Sequence, residues 1–100
     1  MYAELVMIKL GPGMKPLAEK VADELAPIYK AMNGFRGVVF LGEAEAGEYG
    51  SLSIWESKED AEALHGTMKG RLERLVGRVP KIGPDTRRIF EVYETYEPVK

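Results

Sequence analysis

The chain has 100 residues, a net charge of −2, 45% hydrophobic and 30% charged side chains, and no cysteine. This length and balance predict one domain with one hydrophobic core, and the charge does not favour nucleic-acid binding. Without cysteine, disulfides, thiol catalysis and thiolate metal sites are excluded, which fits a reducing cytoplasm. Segment 2–10 is interrupted by Glu4 and Lys9 and is too short for a signal sequence or a membrane span. We therefore expect a cytoplasmic protein without a membrane partner.

The first third of the chain predicts a strand followed by a helix. Residues 2–10 are rich in Leu, Val, Met and Ile, and the Gly-Pro-Gly sequence at 11–13 ends this strand. Apolar residues then recur every three or four positions over 17–32, which predicts a helix with one buried stripe. Pro27 should kink or split this helix because it lacks an amide hydrogen. The Asn-Gly pair at 33–34 should end it.

A hairpin and a second helix follow. Strands are predicted over 35–41 and 49–56, and the turn between them is rich in Gly and Glu. Ser57, with an acidic residue three positions later, resembles a capping box, so the second helix should begin at Lys58.

A loop over 79–85 and a strand over 86–97 complete the order β-α-β-β-α-β. This order is typical of the ferredoxin-like α+β fold, in which four antiparallel strands pair with two helices. Because crossovers are right-handed, both helices should pack on one face of the sheet. We expect a single domain spanning residues 1–100.

The predicted strands are apolar on both faces, although two helices can cover only one face. In strand 35–41, the alternation of side chains places Phe35, Val39 and Leu41 on one face and Val38 and Phe40 on the other. Left bare, the second face would be a larger apolar patch than a soluble monomer usually exposes. We therefore expect a homodimer with two sheets packed face to face. A monomer whose strand ends are merely apolar is the alternative.

Three segments resemble the antibiotic-biosynthesis-monooxygenase-like domains of the dimeric α/β-barrel superfamily: GFRGVVFL at 34–41, SIWESKEDAEALH at 53–65 and IFEVYETYEP at 89–98. The resemblance covers nearly the whole chain and implies a hydrophobic pocket between the sheet and the helices of each protomer. Members of this family with known chemistry oxidise quinols or polycyclic aromatic substrates with oxygen, without flavin or metal, and the resemblance implies a similar reaction here. Relatives with this fold degrade heme, isomerise lactones or have no established activity, so fold alone does not decide function.

The heme-degrading branch of that superfamily uses an Asn in the first strand and both a Trp and a His on the second helix. Strand 2–10 contains no Asn, Trp55 belongs to a strand, and His65 lies near the start of its helix. Heme degradation is therefore not expected.

The only tryptophan and the only histidine, Trp55 and His65, are the first candidate site residues. His65 flanks the apolar stripe of its helix, where it could accept a proton from a phenol or quinol. The alternative is a half-buried His bonded to a carboxylate or carbonyl. Trp55 shares a strand face with Ser51 and Ser53, and these small neighbours leave room for a ligand or for packing.

Six further residues are candidates for substrate binding, four as pocket walls and two as cations. The wall candidates could equally be ordinary core residues. The two arginines could bind a carboxylate or stabilise an enolate-like charge, or could form surface or intersubunit ion pairs. These residues are Tyr29, Met32, Phe35, Met68, Arg36 and Arg88.

Segment 69–88 contains seven basic and two acidic residues, but aromatic residues are not interleaved with them. This pattern is typical of a solvated helix edge, so we expect no nucleic-acid partner.

Together, these patterns predict a homodimer, and the resemblance implies a cofactor-independent monooxygenase acting on a phenol or quinol, with no cofactor or metal site. The alternative is a non-catalytic small-molecule-binding or interaction module of the same fold. No set of residues in the sequence forms a complete mechanism, and the sequence does not name the substrate.

Overall fold

The computed structural model describes residues 1–76 and 86–96 of the chain. The elements are β1 Tyr2–Lys9, α1 Lys15–Ala31, β2 Phe35–Glu43, β3 Glu48–Trp55, α2 Lys58–Val76 and β4 Thr86–Glu91. The strands form one antiparallel sheet in the order β2-β3-β1-β4. The predicted ferredoxin-like α+β arrangement is therefore confirmed. The predicted loop over 79–85 lies outside the described residues.

Local sequence signals set the helix ends. The Oγ of Ser57 accepts a hydrogen bond from the backbone N–H of Asp60 at 3.1 Å, so α2 begins at the predicted residue. Gly34 has a φ of +77° just after α1, a conformation that favours glycine. The expected split at Pro27 is wrong, because residues 15–31 form one helix. Pro27 and Asp23 are both exposed, so water can bond the Asp23 carbonyl that the proline leaves without a partner.

The last strand is shorter than the sequence predicts. Strand β4 pairs with β1, and Glu91 already lies opposite Tyr2, the first residue of β1. The N–H of Val92 donates to the carbonyl oxygen of Met1 at 2.9 Å, and the partner strand ends there. The prediction of a strand beyond residue 91 is therefore wrong for the described residues, which continue to 96 without regular structure.

Strand β2 contains an irregularity that moves one predicted core residue. The register between β2 and β3 shifts between Phe35 and Gly37, and an extra residue in one strand reverses the alternation of its faces. Phe35 therefore packs against the same core as Val38 and Phe40. Its predicted placement on the face of Val39 is wrong.

The core lies between the helices and one face of the sheet. Its largest cluster combines side chains from α1, β3 and α2: Leu25, Tyr29, Trp55, Ala61, Leu64 and Met68. A smaller cluster, Ile8, Leu10 and Tyr49, packs near the start of α1. Alternate residues of β3 are buried, which shows that their side chains lie on the helix-facing side of the sheet.

The opposite face of the sheet is apolar, as the sequence predicts. Leu5, Leu52 and Val39 lie side by side in register on β1, β3 and β2. Val39 is 59% exposed, and Leu41 and Phe90 are each 38% exposed.

In the described part of the chain, neither helix combines the length and the apolar run that a membrane crossing requires.

Candidate active site

A cavity of about 330 Å³ lies between the helices and the sheet. Its walls come from β1, α1, β2, β3 and α2, and most of the lining side chains are apolar. Gly42, Gly50 and Ser51 form part of the wall on the hairpin, where small residues leave space unfilled. The volume is near the lower end of the range of about 300–1,000 Å³ that is usual for small-molecule sites.

A buried carboxylate, Glu4, lies in the wall of this cavity. Glu4 is only 1% exposed, because the alternation along β1 places it on the helix-facing side with Val6 and Ile8. The Nε of Arg87, on β4, donates a hydrogen bond to Glu4 Oε2 at 2.5 Å. Burial raises the pKa of the Glu4 carboxyl above its ordinary value, and the nearby Arg87 and His65 offset only part of this increase.

Two hydroxyl groups lie on the same cavity wall. Tyr29 on α1 is 4% exposed, and its hydroxyl is 2.9 Å from Ser51 Oγ on β3. Burial raises the pKa of Tyr29, and the negative charge of Glu4 adds to this, while the hydrogen bond with Ser51 lowers it. Tyr29 is therefore protonated at neutral pH. The mutual hydrogen bond uses one of the two hydroxyl protons, so the other is available to a ligand.

His65 on α2 adds an imidazole to the polar part of the wall. It lines the cavity and is itself exposed to solvent, so its imidazole connects the cavity with bulk water. The cavity thus brings the buried Glu4 carboxylate and the Tyr29–Ser51 hydroxyls together with an imidazole, and the exposed Lys15 and Glu19 also line it. This arrangement can bind a polar aromatic ligand and remove a proton from it. Within the described residues, no three His, Asp or Glu side chains are grouped as a metal site would require.

Solved structures of other proteins share this architecture. A protein of unknown function from Nitrosomonas europaea aligns with a TM-score of 0.78 at 14% identity, covering 99% of this chain and 95% of that chain. The ActVA-Orf6 monooxygenase of Streptomyces coelicolor, solved with nanaomycin D, aligns with a TM-score of 0.70 at 14% identity, covering 98% and 92%. A mutant of SnoaB, a cofactor-independent oxygenase from Streptomyces nogalater, gives 0.72 at 12% identity, covering 94% of each chain.

The chain has the fold of the antibiotic biosynthesis monooxygenases. The resemblance expected from the sequence is therefore confirmed at the level of fold. No protein-family model matches the sequence, and no curated protein matches it either. At identities of this size, the residues of the site must be argued from this chain alone.

Three of the residues proposed from the sequence, Tyr29, Met68 and His65, line the cavity of this monooxygenase fold. Trp55 does not: it is 0% exposed, and its indole N–H donates to Ser53 Oγ at 2.8 Å. Trp55 and His65 therefore do not border the same cavity.

The other four residues proposed from the sequence also lie away from the cavity lining. Met32 and Phe35 pack against the core cluster that contains Trp55. Arg36 is exposed and pairs with Glu56, with Nη1 and Oε1 3.1 Å apart. Arg88 lies on the outer face of the sheet, where its guanidinium carbon is 4.6 Å from the centre of the Phe90 ring.

Sequence reasoning missed Glu4 and Arg87 as site residues. A signal for Glu4 existed: it falls two positions before Val6, on the same strand face as Ile8 and Leu10. A charged residue at a core-facing position needs a partner or a ligand. Arg87 gave no comparable signal, because only the pairing of β1 with β4 brings it beside Glu4.

Proposed function

We propose that the chain binds a hydroxylated aromatic compound in this cavity and oxidises it with molecular oxygen, without a cofactor. The observation that carries the proposal is a largely apolar cavity whose wall holds the buried Glu4 carboxylate, the His65 imidazole and the Tyr29–Ser51 hydroxyl pair. The exposed Lys15 and Glu19 also line it. A cavity of about 150 Å³ holds benzene. The cavity here measures about 330 Å³, which suits an aromatic compound of two fused rings.

The proposed reaction converts a naphthol-type phenol and O₂ into a quinone and water. The substrate hydroxyl loses its proton, and the resulting phenolate forms a carbon–oxygen bond to O₂ at the ring carbon para to its oxygen. The O–O bond then breaks. One oxygen atom stays as the second quinone carbonyl, and the other leaves as water with both displaced hydrogens. The substrate supplies all four electrons that O₂ accepts.

The protein's contribution is to exclude water, hold the phenol and move its proton. His65 is proposed to carry the proton from the cavity to solvent, since it borders both. The Tyr29–Ser51 pair can donate its spare hydroxyl proton to the developing phenolate oxygen.

The test follows oxygen consumption with 1-naphthol, whose para carbon is free, together with the 1,4-naphthoquinone product. We expect uptake above autoxidation, and a loss of about tenfold or more in His65→Ala because positioned proton transfer typically contributes 10²–10⁴-fold. Glu62→Gln, an exposed change on the same helix, should leave the rate unchanged. Binding of 1-naphthol without uptake above background would favour a non-catalytic binding module instead.

The active form is proposed to be a homodimer joined through the outer sheet face. The exposed Val39, Leu41 and Phe90 support this, because face-to-face packing about a two-fold axis would cover them. Val39→Lys should give monomers in analytical ultracentrifugation, and it should not disturb the protomer because Val39 is already 59% exposed. Ala63→Lys, on the exposed side of α2, is the matched control. A wild-type monomer at micromolar concentration would refute the dimer.

A further inference from the structure

We infer that Glu4 is the group that binds the ligand's hydroxyl, so that the cavity selects ligands carrying an O–H donor, and that Glu4 is the first acceptor of the substrate proton. The proton-transfer part rests on the proposed function. The hydroxyl selectivity does not, since it applies equally to a binding module.

The hydrogen bonding of the carboxylate leaves one oxygen for a ligand. Arg87 donates to Oε2 of Glu4, and among the described residues none donates a hydrogen bond to Oε1. Glu4 is 1% exposed and lines the cavity. Because Glu4 lines the cavity, its Oε1 can accept a hydrogen bond from a hydroxyl placed there.

The surroundings of Glu4 support a charged acceptor. The helix face of the sheet contributes the Arg87 guanidinium and the exposed Glu91 carboxylate from β4, and the uncharged Ser53 from β3. The helices contribute Tyr29, Lys15 and Glu19 from α1 and His65 from α2 to the same cavity. Arg87 offsets part of the penalty of burying the carboxylate, and a hydrogen bond to a charged acceptor is about twice as strong as a neutral one. The same negative charge would disfavour anionic ligands.

The positions of Glu4 and His65 also define a direction for the proton. Glu4 is enclosed, whereas His65 lines the same cavity and is exposed to water. A proton received by Oε1 therefore leaves through His65, which returns the carboxylate to its charged state for the next substrate. In this scheme Glu4 touches the substrate and His65 connects it to solvent.

The test compares two ligands that differ only in their donor, 2-naphthol and 2-methoxynaphthalene, whose binding is measured by calorimetry without oxygen. The wild type should bind 2-naphthol about tenfold more tightly, and Glu4→Gln should lose about tenfold for 2-naphthol with no change for the ether. Glu62→Gln, which removes an exposed carboxylate outside the cavity lining, should behave as wild type.

A pH series on the wild type gives a second readout that does not depend on any variant folding. Affinity for 2-naphthol should fall as pH is lowered through the pKa of Glu4, which burial raises, while affinity for the ether should stay level. Equal affinity of the wild type for the two ligands would overturn the inference. A preference for the hydroxyl ligand without oxygen uptake would refute the proposed oxygenase activity and support the role of Glu4 in binding. Oxygen uptake that is unchanged in Glu4→Gln would support the oxygenase activity and refute the role of Glu4 as proton acceptor.

Discussion

Trp55 should stabilise the fold without taking part in ligand binding. It is 0% exposed and its N–H donates to Ser53 Oγ at 2.8 Å, with Ser53 also 0% exposed. Trp55→Phe would leave a void of roughly 40 Å³, which costs about 1 kcal/mol at ~24 cal/mol per Å³. It would also leave the Ser53 hydroxyl without a partner, at about 1–3 kcal/mol. The expected loss of about 2–4 kcal/mol should lower Tm by at least ~8 °C in a domain of this size.

A double-mutant cycle separates the hydrogen bond from the packing. Ser53→Ala, Trp55→Phe and the double variant would be compared by urea and thermal unfolding. Each single change orphans a buried group and the double change orphans none, so the two should be coupled by about 1–2 kcal/mol. Binding of 2-naphthol should change less than about twofold in Trp55→Phe, because the indole does not line the cavity. If the losses in unfolding free energy of the two single variants add up in the double variant, the hydrogen-bond argument is refuted. A large loss of 2-naphthol affinity in a stable Trp55→Phe protein would refute the conclusion that Trp55 lies outside the cavity lining.

Two further predictions concern Glu4 and the sheet glycines. The folded-state pKa of Glu4 lies above its ordinary value of 4.5, so its contribution to stability is fully present below that value and is lost as pH rises through the folded pKa. The Tm difference between wild type and Glu4→Gln should therefore favour wild type most at acid pH, and a flat difference over about pH 4–8 would contradict this. Gly50→Ala should cost at least about 2 kcal/mol, because a Cβ there would collide with the carbonyl oxygen of Val6. Gly37→Ala meets nothing within 4 Å and should be neutral or stabilising by up to about 1 kcal/mol in the same unfolding assay, so equal losses would refute the clash.

The sequence predicted the elements whose signals are local. Helix α2 begins at Lys58 because Ser57 caps it, and α1 follows from a three-and-four spacing of apolar residues. The end of β4 was not predictable in the same way. A strand stops where its partner stops, and the start of β1 at Tyr2 fixes Glu91 as the last paired residue.

The candidate site was harder to predict because it depends on which face each strand residue occupies. The apolar neighbours of Arg36 and Arg88 favoured these two arginines as substrate-binding residues. Arg87, however, is the arginine that faces inward and binds Glu4. A shift of one position moves a strand side chain to the other face. The partner of Glu4 lies 83 positions away in sequence, so the ion pair emerges only once β1 and β4 are adjacent.

The free-energy costs of the site argue that it is retained for binding. A buried carboxylate loses hydration that one arginine repays only in part, which the raised pKa of Glu4 reflects. The unfilled cavity of about 330 Å³ forfeits further packing. In a chain of 100 residues, an apolar residue at position 4 and a filled cavity would be the more stable solution. The simplest physical reason to keep both is a ligand that fills the space and donates a hydrogen bond to Oε1 of Glu4.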